Sequence, residues 1–256
     1  MFDLNEKSVW VFGGAGYLGS ALTESLDGLC RKVVCIDLAG KAETLVREKS
    51  LRRTQARTFD VSKIAELEGF LDRTMEEEGV PSGIVNLTYV SSGGTRMEDL
   101  AVEDFQKPFD DSVTSYFVIG RHLAEKMKNH GGGSVVNFSS MYGHISPDPG
   151  TYPVPMVPNP IDYGASKAAI SHLTRYMAVH YGKHGVRFNA VAPGPFPHPG
   201  LQEADPGFMA ALSAKNPMGR IGLQAETVGP TVFLLSEAAS YMTGQILAVD
   251  GGWTVW

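Results

Sequence analysis

Cysteine is nearly absent: Cys30 and Cys35 are the two in 256 residues. Neither belongs to a CxxC pair or a Cys/His cluster, which argues against a disulfide scaffold or any metal site and leaves two reduced core thiols. Long apolar runs are missing too, since no window approaches the roughly 20 apolar residues of a membrane span. The start, Met1-Phe-Asp-Leu-Asn-Glu-Lys7, has no basic head, apolar stretch or cleavage site. No export signal is read there, and a cytoplasmic protein with no membrane partner is expected. Positive charge is in deficit, with 22 Lys+Arg against 28 Asp+Glu and a net charge of -6. That is the wrong sign for neutralising phosphate backbones, so no nucleic-acid partner is expected. Internal repeats and domain-separating linkers are also missing.

What is present is a 43% hydrophobic chain, long enough to bury one substantial core without staples. Short apolar runs recur at Val9–Phe12, Val33–Ile36, Ile84–Leu87, Val135–Phe138, Val186–Val191 and Ile246–Val249, with a weaker one at Ala56–Phe59. Unbroken runs of this kind suit strands covered on both faces, as in a parallel sheet. Helical spacing lies between them, for example Leu18, Leu22, Leu26 and Leu29, and Ile170, Leu173, Met177 and Tyr181. The βαβα alternation predicts an α/β fold: one doubly wound parallel sheet of about seven strands, helices on both faces, over residues 1–256.

Two proline-rich stretches interrupt the alternation, Ser146–Pro160 and Pro193–Pro199. Neither can be a helix interior or a central strand. Both follow strand carboxyl ends, where ligands bind in this architecture, so substrate loops are expected at about 141–162 and 193–215. The basic stretch Arg47–Arg57 falls on and after a predicted helix and reads as a solvated face.

The first strand leads into Gly13-Gly14-Ala15-Gly16-Tyr17-Leu18-Gly19 and then a helix. Spaced glycines remove the Cβ atoms that would keep a pyrophosphate from backbone N–H groups at a helix N-terminus. Glycine also suits any tight strand-to-helix turn; the added signal is Asp37, which ends the next strand at the distance expected of a carboxylate that accepts bonds from an adenosine ribose. Asp37 would repel a 2′-phosphate, and Leu38 offers no cation to receive one. The expected cofactor is therefore NAD(H), preferred over NADP(H).

Tyr163 and Lys167 lie four apart on a predicted helix and share a face. An ammonium about 4 Å from a phenol, at an effective dielectric of about 20, favours the phenolate by roughly 4 kcal/mol, with desolvation opposing part of it. Such a tyrosine can exchange a proton with an alcohol or carbonyl. Ser140 follows the strand that ends at Phe138, where its hydroxyl can bond a substrate oxygen.

In this order, these motifs resemble the short-chain dehydrogenase/reductase family, in its compact branch, over almost the whole chain. The resemblance includes Asp60-Val61, Ser139-Ser-x-x-Gly143, Tyr163-x-x-x-Lys167 and Asn189-Ala-Val-Ala-Pro193-Gly194, and continues through Pro217-Met-Gly-Arg220 to Asp250-Gly-Gly252. It implies that Tyr163 is the general acid/base and that Lys167 lowers its pKa and holds the nicotinamide ribose. Ser140 would orient the substrate, Asp60 and Val61 touch the adenine, Asn86 line the cofactor side of the fourth strand, and Pro193-Gly194 sit beside the nicotinamide. It also implies a homodimer or homotetramer, with which the apolar end Trp253-Thr-Val-Trp256 agrees.

Several residues depart from the family pattern. Its Asn-Asn-Ala-Gly is here Asn86-Leu87-Thr88-Tyr89, and Phe12 stands where threonine is usual. Ser112 stands where a catalytic asparagine is expected, and is carried as a fourth catalytic candidate that would hold a relay water. Ser140 and Tyr163 are also wider apart than is usual, a feature of the family's extended branch of nucleotide-sugar epimerases and dehydratases. His144 and His198 fall in loops near the expected cleft, while Tyr152, Met156, Phe196 and Phe208 are candidates for its wall, with Phe196 assigned to substrate.

The resulting expectation is hydride transfer between a secondary alcohol or its ketone and NAD(H). Two alternatives stay open: an NAD-dependent epimerase or dehydratase of a nucleotide-linked sugar, and a dinucleotide-binding protein without catalysis.

Overall fold

Both faces of the first strand are apolar, and the architecture follows from that. In the computed structural model, which describes residues 2–255, β1 (Leu4–Phe12) has Val9, Trp10, Val11 and Phe12 fully enclosed. Successive side chains point to opposite faces, so Trp10 and Phe12 enter one core while Val9 and Val11 enter another. Burying one such side chain contributes about 1.5–3 kcal/mol. Met1 of the N-terminal reading and Trp256 of the apolar end lie outside the described residues.

The elements follow in the order α1 (Tyr17–Leu29), β2 (Cys30–Asp37), α2 (Lys41–Glu48), β3 (Thr54–Thr58), α3 (Ile64–Glu78), β4 (Gly83–Asn86), α4 (Val102–Pro108), α5 (Thr114–Met127) and β5 (Gly133–Phe138). Then come α6 (Ile161–Tyr181), β6 (Val186–Pro193), α7 (Pro199–Ala204), α8 (Pro206–Ala214), α9 (Val228–Leu235) and β7 (Ile246–Val249). The strands form one seven-stranded sheet in the order β3-β2-β1-β4-β5-β6-β7, and every pairing is parallel. Leu67 and Leu71 of α3, Leu123 of α5 and Met177 of α6 pack on one face with Trp10 and Phe12. Leu22 and Leu26 of α1 and Leu234 and Leu235 of α9 cover the other with Val9 and Val11.

The expected doubly wound α/β sheet is therefore what the chain forms. Two details differ from the sequence reading. The edge strand β7 is only half-buried, because nothing pairs beyond it within the described residues. The basic stretch is also not solvated throughout: Arg57 pairs with Glu77 and Glu78, and Arg53 donates to the Cys30 carbonyl at 3.0 Å. Within Ser146–Pro160 the chain makes short turns at Pro149–Thr151 and at residues 153–156, as a surface excursion would.

No helix among the described residues is long and apolar enough to cross a membrane, and no group of His, Cys, Asp and Glu among them could hold a metal.

Candidate active site

The crossovers from β1 and β4 leave the sheet in opposite directions, which opens a crevice at their carboxyl ends. The glycine turn lies there. Gly13 adopts a φ of 72°, its N–H donating to the Ile36 carbonyl at 2.8 Å, and Gly16 donates back to Gly13 at 3.1 Å. A Cβ on Gly19 would lie 2.1 Å from the Gly13 carbonyl oxygen. Gly19→Ala is accordingly expected to destabilise the fold by about 1–3 kcal/mol in urea unfolding and to weaken NADH binding. Helix α1 begins at Tyr17 with Gly16 as its cap residue, and no side chain caps it. Its first N–H groups are left for an anion, and Gly16, Tyr17, Leu18 and Gly19 all line the crevice.

The crevice has two lobes. The outer one, of about 370 Å³, is lined by Asp37, Leu38, Asp60 and Val61. Asp37 accepts from Ala15 N–H through one oxygen and from Leu38 N–H through the other, each at 2.8 Å, which leaves lone pairs for further donors. The sequence reading missed Lys41, which lines both lobes and places an ammonium four residues after Asp37. The inner lobe, of about 470 Å³, brings together Ser140, Tyr163, Lys167, Pro193, Gly194 and Phe196. It adjoins a cavity of about 460 Å³ walled by Tyr152, Met156, Phe196 and Phe208, the four wall candidates. His198 reaches the inner lobe, packs tilted against Tyr17 with ring centroids 5.2 Å apart, and accepts from Gly200 N–H to cap α7. His144 lies just past the turn that Ser140 caps.

Ser140 caps the turn after β5 by accepting from Tyr142 N–H at 3.2 Å. It also hydrogen-bonds Tyr163. Burial pushes the Tyr163 phenol up from its usual value, and the Ser140 bond draws it partly back. Ser140 is thus a neighbour that favours the phenolate in the free protein. Lys167 is itself buried, and burial pulls its amine down to about 7. Its Nζ donates to the Phe138 carbonyl at 2.9 Å and lies 5.8 Å from the centre of the Tyr163 ring. The pair expected about 4 Å apart from helix spacing is found with its amine enclosed, and that enclosure lowers the amine's affinity for a proton.

Two tyrosines that the sequence reading left out of the site surround that amine. The Tyr116 ring is 5.9 Å from Lys167 Nζ, and its buried hydroxyl points at the carbonyls of Asn86, Thr88 and Phe138 at 2.8, 3.0 and 3.3 Å. The Tyr89 ring is 5.8 Å from the same Nζ and meets Tyr163 edge-on. A polar face on α5 would have signalled Tyr116, whereas Tyr89 sits in an irregular loop with no periodicity. Asn86 is buried and bonds Thr88 through Oδ1, while its Nδ2 has no partner.

Ser112 lies in a π-helical turn, Phe109–Val113, beside the outer lobe. Its hydroxyl accepts from Val90 N–H at 2.8 Å and its carbonyl accepts from Ser115 at 2.8 Å. Ser112 thus anchors the loop after β4 and keeps its own hydroxyl proton free to donate.

A dinucleotide fits this crevice on its own geometry: an uncapped helix start, a glycine turn that a Cβ would fill, and a carboxylate with free lone pairs at the far end. The comparisons with known proteins agree. Residues 18–254 match a family model described as Enoyl-(Acyl carrier protein) reductase. The 2,5-dichloro-2,5-cyclohexadiene-1,4-diol dehydrogenase of Sphingobium indicum is 31% identical over 99% of both chains. A gluconate 5-dehydrogenase from Burkholderia cenocepacia, solved in complex with NADP and tartrate, is 25% identical, with a TM-score of 0.88 over 100% of this chain and 98% of that one. A short-chain dehydrogenase from Leptospira borgpetersenii with bound NAD+ is 28% identical, with a TM-score of 0.84 over 98% and 94%.

The chain belongs to the short-chain dehydrogenase/reductase family. Its fold is that of a nicotinamide-dependent oxidoreductase, and its relatives are dehydrogenases named for cyclic and sugar alcohols.

Proposed function

We propose that the protein is an NAD(H)-dependent oxidoreductase that interconverts a secondary alcohol and its ketone, with Tyr163 as general acid/base. The observation that carries this reading is the meeting of Ser140, Tyr163 and Lys167 in the inner lobe, against the apolar cavity and in line with the glycine turn. The bound nicotinamide would supply the hydride acceptor or donor. Tyr163 and Ser140, side by side in the inner lobe, converge on the substrate oxygen; Tyr163 exchanges its proton while Ser140 orients it. Lys167 would hold the ribose. Asp60 and Val61 would border the adenine and Pro193 and Gly194 the nicotinamide, and the segments about 141–162 and 193–215 would receive the substrate within one domain.

NAD(H) is preferred over NADP(H) because Asp37 presents negative charge where a 2′-phosphate would lie. Lys41 tempers that preference without reversing it. The parent is expected to use NAD+ with a kcat/KM about tenfold or more above that for NADP+, and Asp37→Asn should narrow the gap. An NADP+ preference in the parent would refute the assignment. The epimerase or dehydratase alternative is separated by the same assay, as it would form product with no net change in NADH absorbance.

The reading extends to a homodimer or homotetramer. Phe117 on α5 and Tyr176 and Val179 on α6 leave an apolar helix face in water. At the chain end Trp253 is buried but Val255 is exposed, which adds apolar surface for a second copy to cover. Sedimentation at micromolar concentration is expected to show no monomer.

A further inference from the structure

The chemistry above leaves a fully enclosed carboxylate unused. Asp162 precedes Tyr163 in the first turn of α6 and is completely enclosed. Its two oxygens accept from the N–H of Ser92 at 2.8 Å and from the Ser92 hydroxyl at 2.7 Å. These charge-assisted bonds, with the helix N-terminus, hold a carboxylate in a place that water does not reach. They join α6 to the loop after β4, 70 residues away in sequence.

The same helix start has Pro160 at its cap and no side chain bonding its free N–H groups. Uncapped first turns fray, yet this one carries the proposed base. The loop that Asp162 grips carries Tyr89 and is pinned a second time where Val90 donates to Ser112. The Tyr89 ring stands 6.1 Å from the Tyr163 ring at 80° and 5.8 Å from Lys167 Nζ, and it lines both lobes of the crevice. Tyr89 is 64% exposed, so its place there is not required by core packing.

Resting on the dehydrogenase reading, we propose that the Asp162–Ser92 clasp and Tyr89 form a positioning device that holds Tyr163 and Lys167 in register with the coenzyme. The clasp fixes the first turn of α6 against the loop, and Tyr89 transmits that constraint to both side chains. Ser112, at the position where the family pattern has asparagine, serves the device as its second anchor.

The test is a double-variant cycle on the full-length protein. Ser92→Ala removes the hydroxyl bond and keeps the backbone one, so the fold is retained. It is expected to lower kcat about tenfold and leave the NADH dissociation constant, read by fluorescence, within about threefold. Tyr89→Ala should lower kcat about as much, Tyr89→Phe should restore it, and Ser92→Ala should add nothing in the Tyr89→Ala background. A second readout needs no turnover: acylation of Lys167 by an amine-reactive ester, followed by mass spectrometry, should be about threefold or more faster in Ser92→Ala. Parental kcat and labelling in Ser92→Ala, or losses that multiply in the double variant, would overturn the proposal. A parent that turns over no alcohol or ketone would overturn the dehydrogenase reading instead, and Lys167 labelling would then decide the clasp alone.

Discussion

Tyr163→Phe is expected to cut turnover by about a hundredfold or more while NADH still binds with about its parental affinity. The change removes one oxygen and keeps the ring, so the edge-on contact with Tyr89 and the closeness to Lys167 persist. What is lost is the group proposed to exchange the substrate proton. Burial pushes that phenol up and the Ser140 hydrogen bond opposes it, so the free protein holds Tyr163 protonated at neutral pH, ready to donate to a ketone oxygen. In the oxidative direction the phenol must lose its proton, and the rate is expected to rise with pH above neutrality. Steady-state rates by NADH absorbance and affinity by NADH fluorescence separate chemistry from binding. A variant with parental turnover would remove Tyr163 from the mechanism. Loss of coenzyme binding together with turnover would make Tyr163 a binding residue rather than the base. The non-catalytic alternative fails once the parent shows a turnover that this variant lacks.

Much of the fold was legible because parallel strands are covered on both faces, so Val9–Phe12 is an unbroken apolar run and Val135–Phe138 is interrupted only by the buried Asn137. Tyr163 and Lys167 were legible for a similar reason, as helix pitch alone puts residues four apart on one face. The glycine turn and Asp37 were read from local spacing, and the structure places both on one crevice. The unread parts depend on burial or on distant contacts. Helix spacing could not show that Lys167 would be enclosed by Tyr89, Tyr116 and Tyr163, and enclosure lowers its affinity for a proton. Ser92 and Asp162 meet across 70 residues, and no periodicity links an irregular loop to a helix start. Ser112 was read by its position in the family pattern, whereas its hydroxyl turns to the loop amide of Val90.

Lys167→Met is expected to do two opposite things: remove turnover and stabilise the coenzyme-free protein. Lys167 is 3% exposed, and its amine bonds one carbonyl and faces three aromatic rings. Cation–π attraction offsets part of the desolvation, but burial still pulls the amine from 10.5 to about 7. Between those values the unfolded chain holds a proton that the folded chain does not. Raising the pH through that window therefore favours folding, and the penalty is fully present below about pH 7 and gone above about 10.5. At one pKa unit per about 1.4 kcal/mol, the penalty approaches roughly 5 kcal/mol. Methionine occupies similar space without a charge, so the variant should gain a few kcal/mol at pH 6.5 and progressively less as the pH rises. Urea unfolding of parent and variant at pH 6.5, 7.5 and 8.5 tests this. The difference between them isolates Lys167, because Cys30 and Cys35, both pushed up to about 12 by burial, contribute equally to each. Turnover should fall about a hundredfold or more in the same variant if, as proposed, this side chain holds the ribose beside Tyr163. A variant less stable than the parent at every pH, or one whose advantage does not shrink from pH 6.5 to 8.5, would show that Lys167 is held charged in the free protein.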